Sequence, residues 1–374
     1  MLPGGPEKET EEKILFRAAN KGCKKFFRQA LKRREIMKKL KVGVIGVGRL
    51  GYEHACNIAN RVPGMELVAI CDGNAPRAKE VADELNVEKI YSDPATMCAD
   101  PEVEAVAIFT NTASHVDMIR IAMEAGKHVF CEKPLAENVE KCLAAEEIIK
   151  AHPNQVFMLG FMRRFDKSYR IAKQKIDNGD IGRVVLVRCY SEDPRSTFDS
   201  YLPFAPTSGG QFIDMSIHDI DLIRWLTGSE PKKIWAIGGC FEFPQFKDWD
   251  DGDNVSCLMQ CENDAMAFMF AGRTAAHGSA VETEIVGTHG TLRIGATPSS
   301  SLVEVLSTNG VCHECFQDFV SRWHDAYITE MEVFCDYVAK GQAAEPNVYD
   351  GTKATRVAYA CKESFLKNEL LTLD

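Results

Sequence analysis

Two short polar runs contain the side-chain types that proton and hydride chemistry requires. Glu132-Lys133-Pro134 ends the apolar run KHVFCEKP, and the run DMSIHD places Asp214 four residues before His218. On one helix the last two side chains would share a face. Oxidation of an alcohol needs a base for the hydroxyl proton and a cation for the developing alkoxide. Histidine suits the first role and lysine the second, so Lys133, Asp214 and His218 are catalytic candidates.

These residues also have plainer explanations. A lysine at a strand end is equally well explained as a solvated surface charge, and His218 as a packed histidine capped by Asp214. The preceding pair Gly209-Gly210 indicates a close approach of backbone, which favours a site.

A glycine-rich turn supplies a second kind of chemistry. Gly46, Gly48 and Gly51 form a GxGxxG pattern, with Arg49 and Leu50 between them, after the strand-like run VGVIGV and at the start of a predicted helix. In that context the three glycines permit a tight turn, an approach of pyrophosphate to the backbone, and close helix–strand packing. The helix N-terminus adds unpaired N–H groups and partial positive charge. We therefore predict a dinucleotide site; a glycine turn without a nucleotide is the alternative.

An acidic residue indicates which dinucleotide is bound. Asp72 follows a second apolar run, 21 residues after Gly51. A carboxylate at this point can accept hydrogen bonds from an adenosine ribose diol and would repel a 2′-phosphate, which favours NAD over NADP. Arg77 lies five residues further on and could accommodate that phosphate, so NADP stays open as a secondary cofactor.

The order of predicted elements gives the fold class. Strand and helix runs alternate from Lys41 to about residue 160, which is typical of a doubly wound parallel sheet. Closely spaced strand runs then follow, with helices near 166–178 and 215–227, and they predict a mainly antiparallel sheet. The tail reads as helical over 319–340 and 347–368. We therefore predict an α/β chain with a Rossmann domain and a C-terminal α+β domain.

The predicted division places an extension at 1–37, an NAD-binding domain at 38–160, and a substrate-binding and oligomerisation domain at 161–374. The first forty residues hold 12 Lys and Arg against 5 Glu, whereas the whole chain has a net charge of −10. We interpret 1–37 as an extension without its own fold, ahead of a domain that begins after Met37. A targeting peptide is the alternative, but the five Glu residues count against it.

Composition excludes several classes of protein. A net charge of −10 argues against nucleic acid as the main partner, and no apolar run approaches the ~20 residues of a membrane span. The fourteen cysteines lie mostly in apolar runs, which is typical of reduced thiols in a cytoplasmic protein. The single CxxC at Cys312 and Cys315 lacks a second ligand pair, so no metal site is predicted.

The chain resembles the Gfo/Idh/MocA family of oxidoreductases over residues 38–374. The marks are GVGRLG with Asp72, and the runs TNTASH (110–115), CEKPL (131–135), GFMRRFDKSY (160–169), GGQFIDMSIHDIDLIRWL (209–226) and FVSRWHDAYITEMEVF (319–334). The resemblance implies a large open C-terminal sheet and often a homotetramer built through it. It also implies that C-terminal helices pack back on the Rossmann domain.

The same resemblance assigns roles to single positions. Lys133 would bind the reacting hydroxyl, His218 would be the general acid/base, and Asp214 would bind substrate and orient the histidine. Asn111 and His115 match the loop that lies near the nicotinamide, and Thr110, Glu132 and Lys133 are further candidate cofactor-binding residues.

GFMRRFD and DMSIHDIDL favour family members that act on inositols, so the expected reaction is oxidation of myo-inositol to 2-keto-myo-inositol with NAD+. Dehydrogenation of scyllo-inositol, glucose or another sugar, and a non-catalytic NAD-binding regulator, remain as alternatives.

Overall fold

The computed structural model describes residues 38–308 and 310–373. Its N-terminal half is built on six parallel strands in the order β3-β2-β1-β4-β5-β6. They are β1 Leu40–Ile45, β2 Met65–Cys71, β3 Lys89–Tyr91, β4 Ala105–Ile108, β5 His128–Glu132 and β6 Phe157–Gly160. β4 and β6 are buried along their whole length, because helices cover both faces of the sheet.

The helices of this half follow the strands in alternation. They are α1 Arg49–Asn60, α2 Ala75–Leu85, α3 Pro94–Ala99, α4 His115–Glu124 and α5 Val139–Lys150. Side chains cap several of them, since Asn74 accepts from Arg77 N and Asn138 from Lys141 N. Because all strands run in parallel, the loops after β1, β4 and β5 meet at one edge of the sheet, where doubly wound folds bind ligands.

The second half contains a seven-stranded sheet in the order β12-β11-β7-β10-β9-β8-β15. β7 and β10 pair in parallel and the other described neighbours are antiparallel. The strands are β7 Val184–Pro194, β8 Pro231–Gly239, β9 Asn254–Cys261, β10 Met266–Ala275, β11 Ala280–Gly287, β12 Thr291–Ile294 and β15 Leu371–Thr372. A separate exposed hairpin is formed by β13 Glu304–Ser307 and β14 Gly310–His313.

Helices cover one face of this sheet and connect it to the first half. They are α6 Lys167–Asp177, α7 Phe198–Tyr201, α8 Gln211–Asp214, α9 Ile217–Thr227, α10 Phe319–Lys340 and α11 Val348–Lys367. α10 begins at the cap Asp318 and ends at Gly341. Its residues Met331 and Phe334 are buried in the core around β1 and α1, so this C-terminal helix packs back on the Rossmann half.

The fold class predicted from the sequence is confirmed. Several elements escaped prediction, namely β3, α3, α7, α8, the β13–β14 hairpin and β15. The helix expected over 215–227 starts later, at Ile217, after the separate short helix α8. The domain division at residue 160 stays a proposal, and the predictions for residues 1–37 lie outside the described residues.

None of the helices within the described ranges combines the length and hydrophobicity that crossing a bilayer requires.

Candidate active site

The glycine turn leaves space for a ligand above the start of α1. Gly46 has φ +87, and a Cβ on Gly51 would lie 2.0 Å from the Gly46 carbonyl oxygen, so internal packing demands both glycines. A Cβ on Gly48 would meet no atom within 4 Å. Gly48 precedes α1 as its N-cap and provides no side-chain cap, and the first turn of the helix has no acidic residue. Its open N–H groups therefore suit a pyrophosphate.

The two residues between Gly48 and Gly51 pack against other parts of the chain. The Arg49 guanidinium lies 4.7 Å from the Phe319 ring centroid at the start of α10, and Leu50 is half-buried. The turn thus contacts the C-terminal half directly.

Asp72 lies beside the turn, as the spacing predicted. Its carboxylate accepts hydrogen bonds from Val47 N at 2.8 Å and Asn74 N at 2.7 Å. A carboxylate has about four acceptor positions, so two remain for ribose hydroxyls. Arg77 donates to Val47 O and pairs with Glu80 at 2.8 Å. Glu80 therefore competes with any phosphate for this guanidinium, which suits NAD better than NADP.

The loop after β4 is held by its own hydrogen bonds. Thr110 Oγ1 accepts from Ser114 Oγ at 2.8 Å, and Asn111 is exposed. The buried His115 ring lies 2.9 Å from Pro134 O and 3.2 Å from Thr110 O. Burial lowers the pKa of His115 although both carbonyl contacts oppose it. The histidine thus fastens this loop to the Lys133-Pro134 turn, and its contact with cofactor stays a prediction.

Lys133 reaches the second half of the chain. Its ammonium donates to the Asp214 carbonyl oxygen at 2.7 Å and lies 3.5 Å from Asp214 Oδ1. In a continuous helix that carbonyl would accept the N–H of His218. The His218 N–H bonds instead to Met215 O at 3.4 Å. The lysine thus takes the carbonyl that a continuous helix would use, at the break between α8 and α9.

Asp214 is held between two cations. Its other carboxylate oxygen accepts from Arg273 at 2.6 Å, and Arg273 also bonds to Asp193 at 2.8 Å and Gln211 at 2.8 Å. Burial alone would raise the pKa of Asp214, but the charges of Lys133 and Arg273 outweigh it and hold the pKa below its ordinary value. Burial raises the pKa of Asp193 despite the same arginine.

His218 is buried close to these groups but is not hydrogen-bonded to Asp214. Its Nδ1 is buried and has no hydrogen-bond partner, and its ring meets Phe161 edge-on at 6.2 Å. Burial, followed by the charges of Lys133 and Arg163, holds the pKa of His218 well below its ordinary value. The imidazole is therefore neutral near pH 7, in the form that can accept a proton. The orienting contact expected from Asp214 is absent, since that carboxylate is engaged by the two cations.

Glu132 faces away from this group. It is 5% exposed, one of its oxygens accepts from Lys133 N at 2.9 Å, and the other lies near His54. Its assignment as a cofactor contact stays a prediction.

Sequence reasoning missed Arg273 and its partner Asp193. The signal that could have found Arg273 is strand alternation, because Ala267, Met269 and Ala271 on β10 are buried and Arg273 continues the same face. A charged side chain at an inward position requires buried partners.

Two further arginines, Arg163 and Arg164, lie beneath the site. Arg163 bonds to Asp219 at 2.5 Å and Ser191 at 3.0 Å, and Arg164 pairs with Asp221 through two hydrogen bonds. These buried pairs fix α9 against the segment that follows β6, and α9 carries His218.

Comparisons with known proteins agree with this geometry. Residues 40–161 match the family model described as oxidoreductase family, NAD-binding Rossmann fold, and residues 169–293 match the Gfo/Idh/MocA C-terminal domain. The chain is 36% identical to scyllo-inositol 2-dehydrogenase (NAD(+)) of Bacillus subtilis (strain 168), over 90% of this chain and 96% of the relative.

Solved structures extend the similarity to the fold. The scyllo-inositol dehydrogenase of Lactobacillus casei with bound NAD(H) and scyllo-inositol matches with a TM-score of 0.86 and 41% identity, over 90% of this chain and 99% of that one. Myo-inositol 2-dehydrogenase of Lactobacillus plantarum matches with a TM-score of 0.87 and 38% identity, over 90% and 100%. Both halves of the chain and the glycine turn are covered, and the chain belongs to the Gfo/Idh/MocA family of oxidoreductases, with an NAD-binding Rossmann fold.

Proposed function

We propose that this protein is an NAD-dependent dehydrogenase that oxidises a CH–OH group of an inositol, with myo-inositol as the leading substrate. The observation that carries the proposal is the contact between Lys133 and Asp214, which joins the cofactor edge of the sheet to the helix pair bearing a neutral His218. The names of the relatives described above support the substrate class.

The chain's own residues divide the work of alcohol oxidation. Neutral His218 accepts the proton of the reacting hydroxyl. Lys133 donates to the same oxygen and stabilises its developing negative charge. Asp214, ionised between Lys133 and Arg273, holds the lysine and accepts a hydrogen bond from a neighbouring ring hydroxyl. His218 is buried and the other two are half-buried, which limits screening by bulk water and strengthens each interaction.

A bound NAD+ would supply the acceptor for the hydride of the oxidised carbon. The open N–H groups at the start of α1 would hold its pyrophosphate, and Asp72 would accept hydrogen bonds from its adenosine ribose. The engagement of Arg77 by Glu80 supports NAD as the main cofactor.

Scyllo-inositol is the second candidate substrate. The relatives named for it are 36% and 41% identical to this chain, against 38% for the relative named for myo-inositol. The two isomers differ only at the oxidised carbon, so both yield 2-keto-myo-inositol. The two substrates therefore differ in the face of the ring from which the hydride leaves the oxidised carbon. Glucose serves as the test substrate from outside the inositols.

The test is a panel of inositols and sugars with NAD+ and NADP+, followed by absorbance of the reduced cofactor. We expect turnover with an inositol and NAD+, and a loss of at least ~100-fold in Lys133→Ala or His218→Ala, as for a lost acid/base group. His152→Ala, a half-buried histidine just beyond α5, is the matched control. Cofactor binding without turnover on the panel would favour the regulator alternative.

The outer face of the seven-stranded sheet supports assembly into a homo-oligomer. Trp235, Ile237, Leu258 and Met266 are each between 41% and 52% exposed, and contiguous apolar surface of this kind marks interfaces. We propose a tetramer in which a second copy covers this face. Light scattering should give four chains for the native protein and fewer for Trp235→Asp with Leu258→Asp.

A cytoplasmic location is part of the same proposal. The thirteen cysteines among the described residues are all free thiols, as expected in a reducing compartment.

A further inference from the structure

Three ionisable side chains outside the catalytic group meet in the interior. His54 of α1, Glu132 at the end of β5 and Glu330 of α10 are 0%, 5% and 0% exposed. His54 Nε2 lies 3.7 Å from Glu132 Oε1 and 3.6 Å from Glu330 Oε1. Five polar atoms of these residues are buried without a hydrogen-bond partner. Such groups are costly unless they are paired, so this cluster requires an explanation.

The surroundings of the cluster are largely aromatic. The His54 ring is stacked on Phe109 at 4.2 Å and meets Tyr327 edge-on at 5.0 Å, with Phe130 at 5.9 Å. Two ionised carboxylates here would repel each other without solvent to screen them. Burial, followed by the charge of Glu132, raises the pKa of Glu330 well above its ordinary value.

The cluster is joined to the catalytic lysine through the backbone. Glu132 Oε2 accepts the N–H of Lys133 at 2.9 Å, while Oε1 faces His54. On the other side Glu132 packs against Gly160, where an added Cβ would lie 3.0 Å from Oε1. The orientation of the Glu132 carboxylate therefore affects the backbone from which Lys133 reaches Asp214.

We propose that Glu330 is a positioning residue, which as a neutral acid donates with His54 to the Glu132 carboxylate and thereby fixes Lys133. The ligand atoms of the three side chains lie within 4.8 Å of one another. Side-chain shifts of roughly 1–2 Å bring them to hydrogen-bond distances of about 2.7–3.0 Å. Glu132 then accepts from His54, Glu330 and the Lys133 amide, which pairs three of the five unpartnered atoms, namely His54 Nε2, Glu132 Oε1 and one Glu330 oxygen. The consequence for turnover rests on the role proposed for Lys133.

The test compares Glu330→Gln with Glu330→Ala in the full chain. The amide is a neutral isostere that can still donate, so we expect E330Q to keep kcat within about three-fold of the native protein. E330A removes the donor, and we expect kcat to fall on the order of ten-fold, below the roughly 100-fold that a displacement of about 1 Å can cost. NAD+ affinity should stay unchanged, and Glu332→Gln on the same helix is the matched control.

Infrared spectroscopy tests the protonation state independently of activity. The native protein should show the carbonyl stretch of a neutral carboxylic acid near neutral pH, and E330Q should lack it. If E330A does not fold, Glu330→Asp replaces it in the kinetic test. The aspartate side chain is one methylene group shorter, so its carboxyl group lies further from Glu132.

Absence of this infrared band, or full kcat in E330A, would overturn the proposal. So would one metal ion bound per native chain and absent from E330Q, because a metal ion would keep both carboxylates ionised. If Lys133→Ala were fully active while the band persisted, the role of Lys133 would fail and the neutral acid would stand.

Discussion

Replacing Lys133 by methionine should both slow turnover and move its pH dependence. The ammonium lies 2.7 Å from the Asp214 carbonyl oxygen, and Lys133 is half-buried, so its charge acts in a poorly screened site. Loss of one group that stabilises an oxyanion costs about 2.7–4 kcal/mol, or roughly 100- to 1,000-fold in kcat. Methionine keeps most of the side-chain volume, so folding should be preserved.

The direction of the pH change follows from His218. The charge of Lys133 is one of the causes that hold the pKa of His218 below its ordinary value, after burial itself. Removing that charge raises the pKa, so a higher pH is needed to leave the imidazole neutral. The acid limb of kcat against pH should therefore shift to higher pH in Lys133→Met.

The assay is the initial rate of NADH formation from about pH 5 to 10 with a saturating inositol, together with NAD+ binding by calorimetry. Lys150→Met, an exposed lysine at the end of α5, is the matched control and should change stability by less than about 0.5 kcal/mol. A kcat for Lys133→Met within about three-fold of the native value, less than ~1 kcal/mol, would refute the assigned role. An unmoved acid limb would refute the electrostatic coupling to His218.

Three further predictions address the cofactor turn and the buried arginine. Asp72→Ser should weaken NAD+ and improve NADP+, because the carboxylate that repels a 2′-phosphate is gone; the ratio of kcat/KM for the two cofactors measures this. Gly48→Ala should keep its thermal stability, since the added Cβ meets no protein atom, yet lose at least about ten-fold in NAD+ affinity by calorimetry. Arg273→Met should lower the free energy of unfolding by about 3–5 kcal/mol, because Asp193 and Asp214 lose a buried partner. Adding Asp193→Asn to that variant should restore part of the loss in a denaturant titration, and purely additive effects would contradict the pairing.

The sequence specified the cofactor half in detail because its signals are local. The Gly46–Gly51 turn lies between a strand and a helix, and Asp72 follows at a fixed spacing, so neighbouring residues alone predict the geometry. β3 and the hairpin escaped prediction because three- and four-residue strands carry little periodicity.

The rest of the site depends on contacts between distant segments. Lys133 and Asp214 are 81 residues apart, and their contact lies at the break between α8 and α9. The side chains of Arg273 and Glu330 are buried only because other elements fold over them, and a lone charged residue in a strand or helix does not reveal its partners. Motif reasoning therefore proposed Lys133 and His218 as the reacting groups, but it missed Arg273 and Glu330, whose buried contacts hold this region in place.

The most direct test is isotope transfer from a substrate labelled at the reacting carbon. Native protein is incubated with NAD+ and myo-inositol carrying deuterium on C2, and the reduced cofactor is examined by mass spectrometry and proton NMR. Deuterium at C4 of the nicotinamide, with a slower rate than for unlabelled substrate, is the predicted result. Unlabelled NADH, or no reduction with myo-inositol and with similarly labelled scyllo-inositol, would contradict hydride transfer from an inositol.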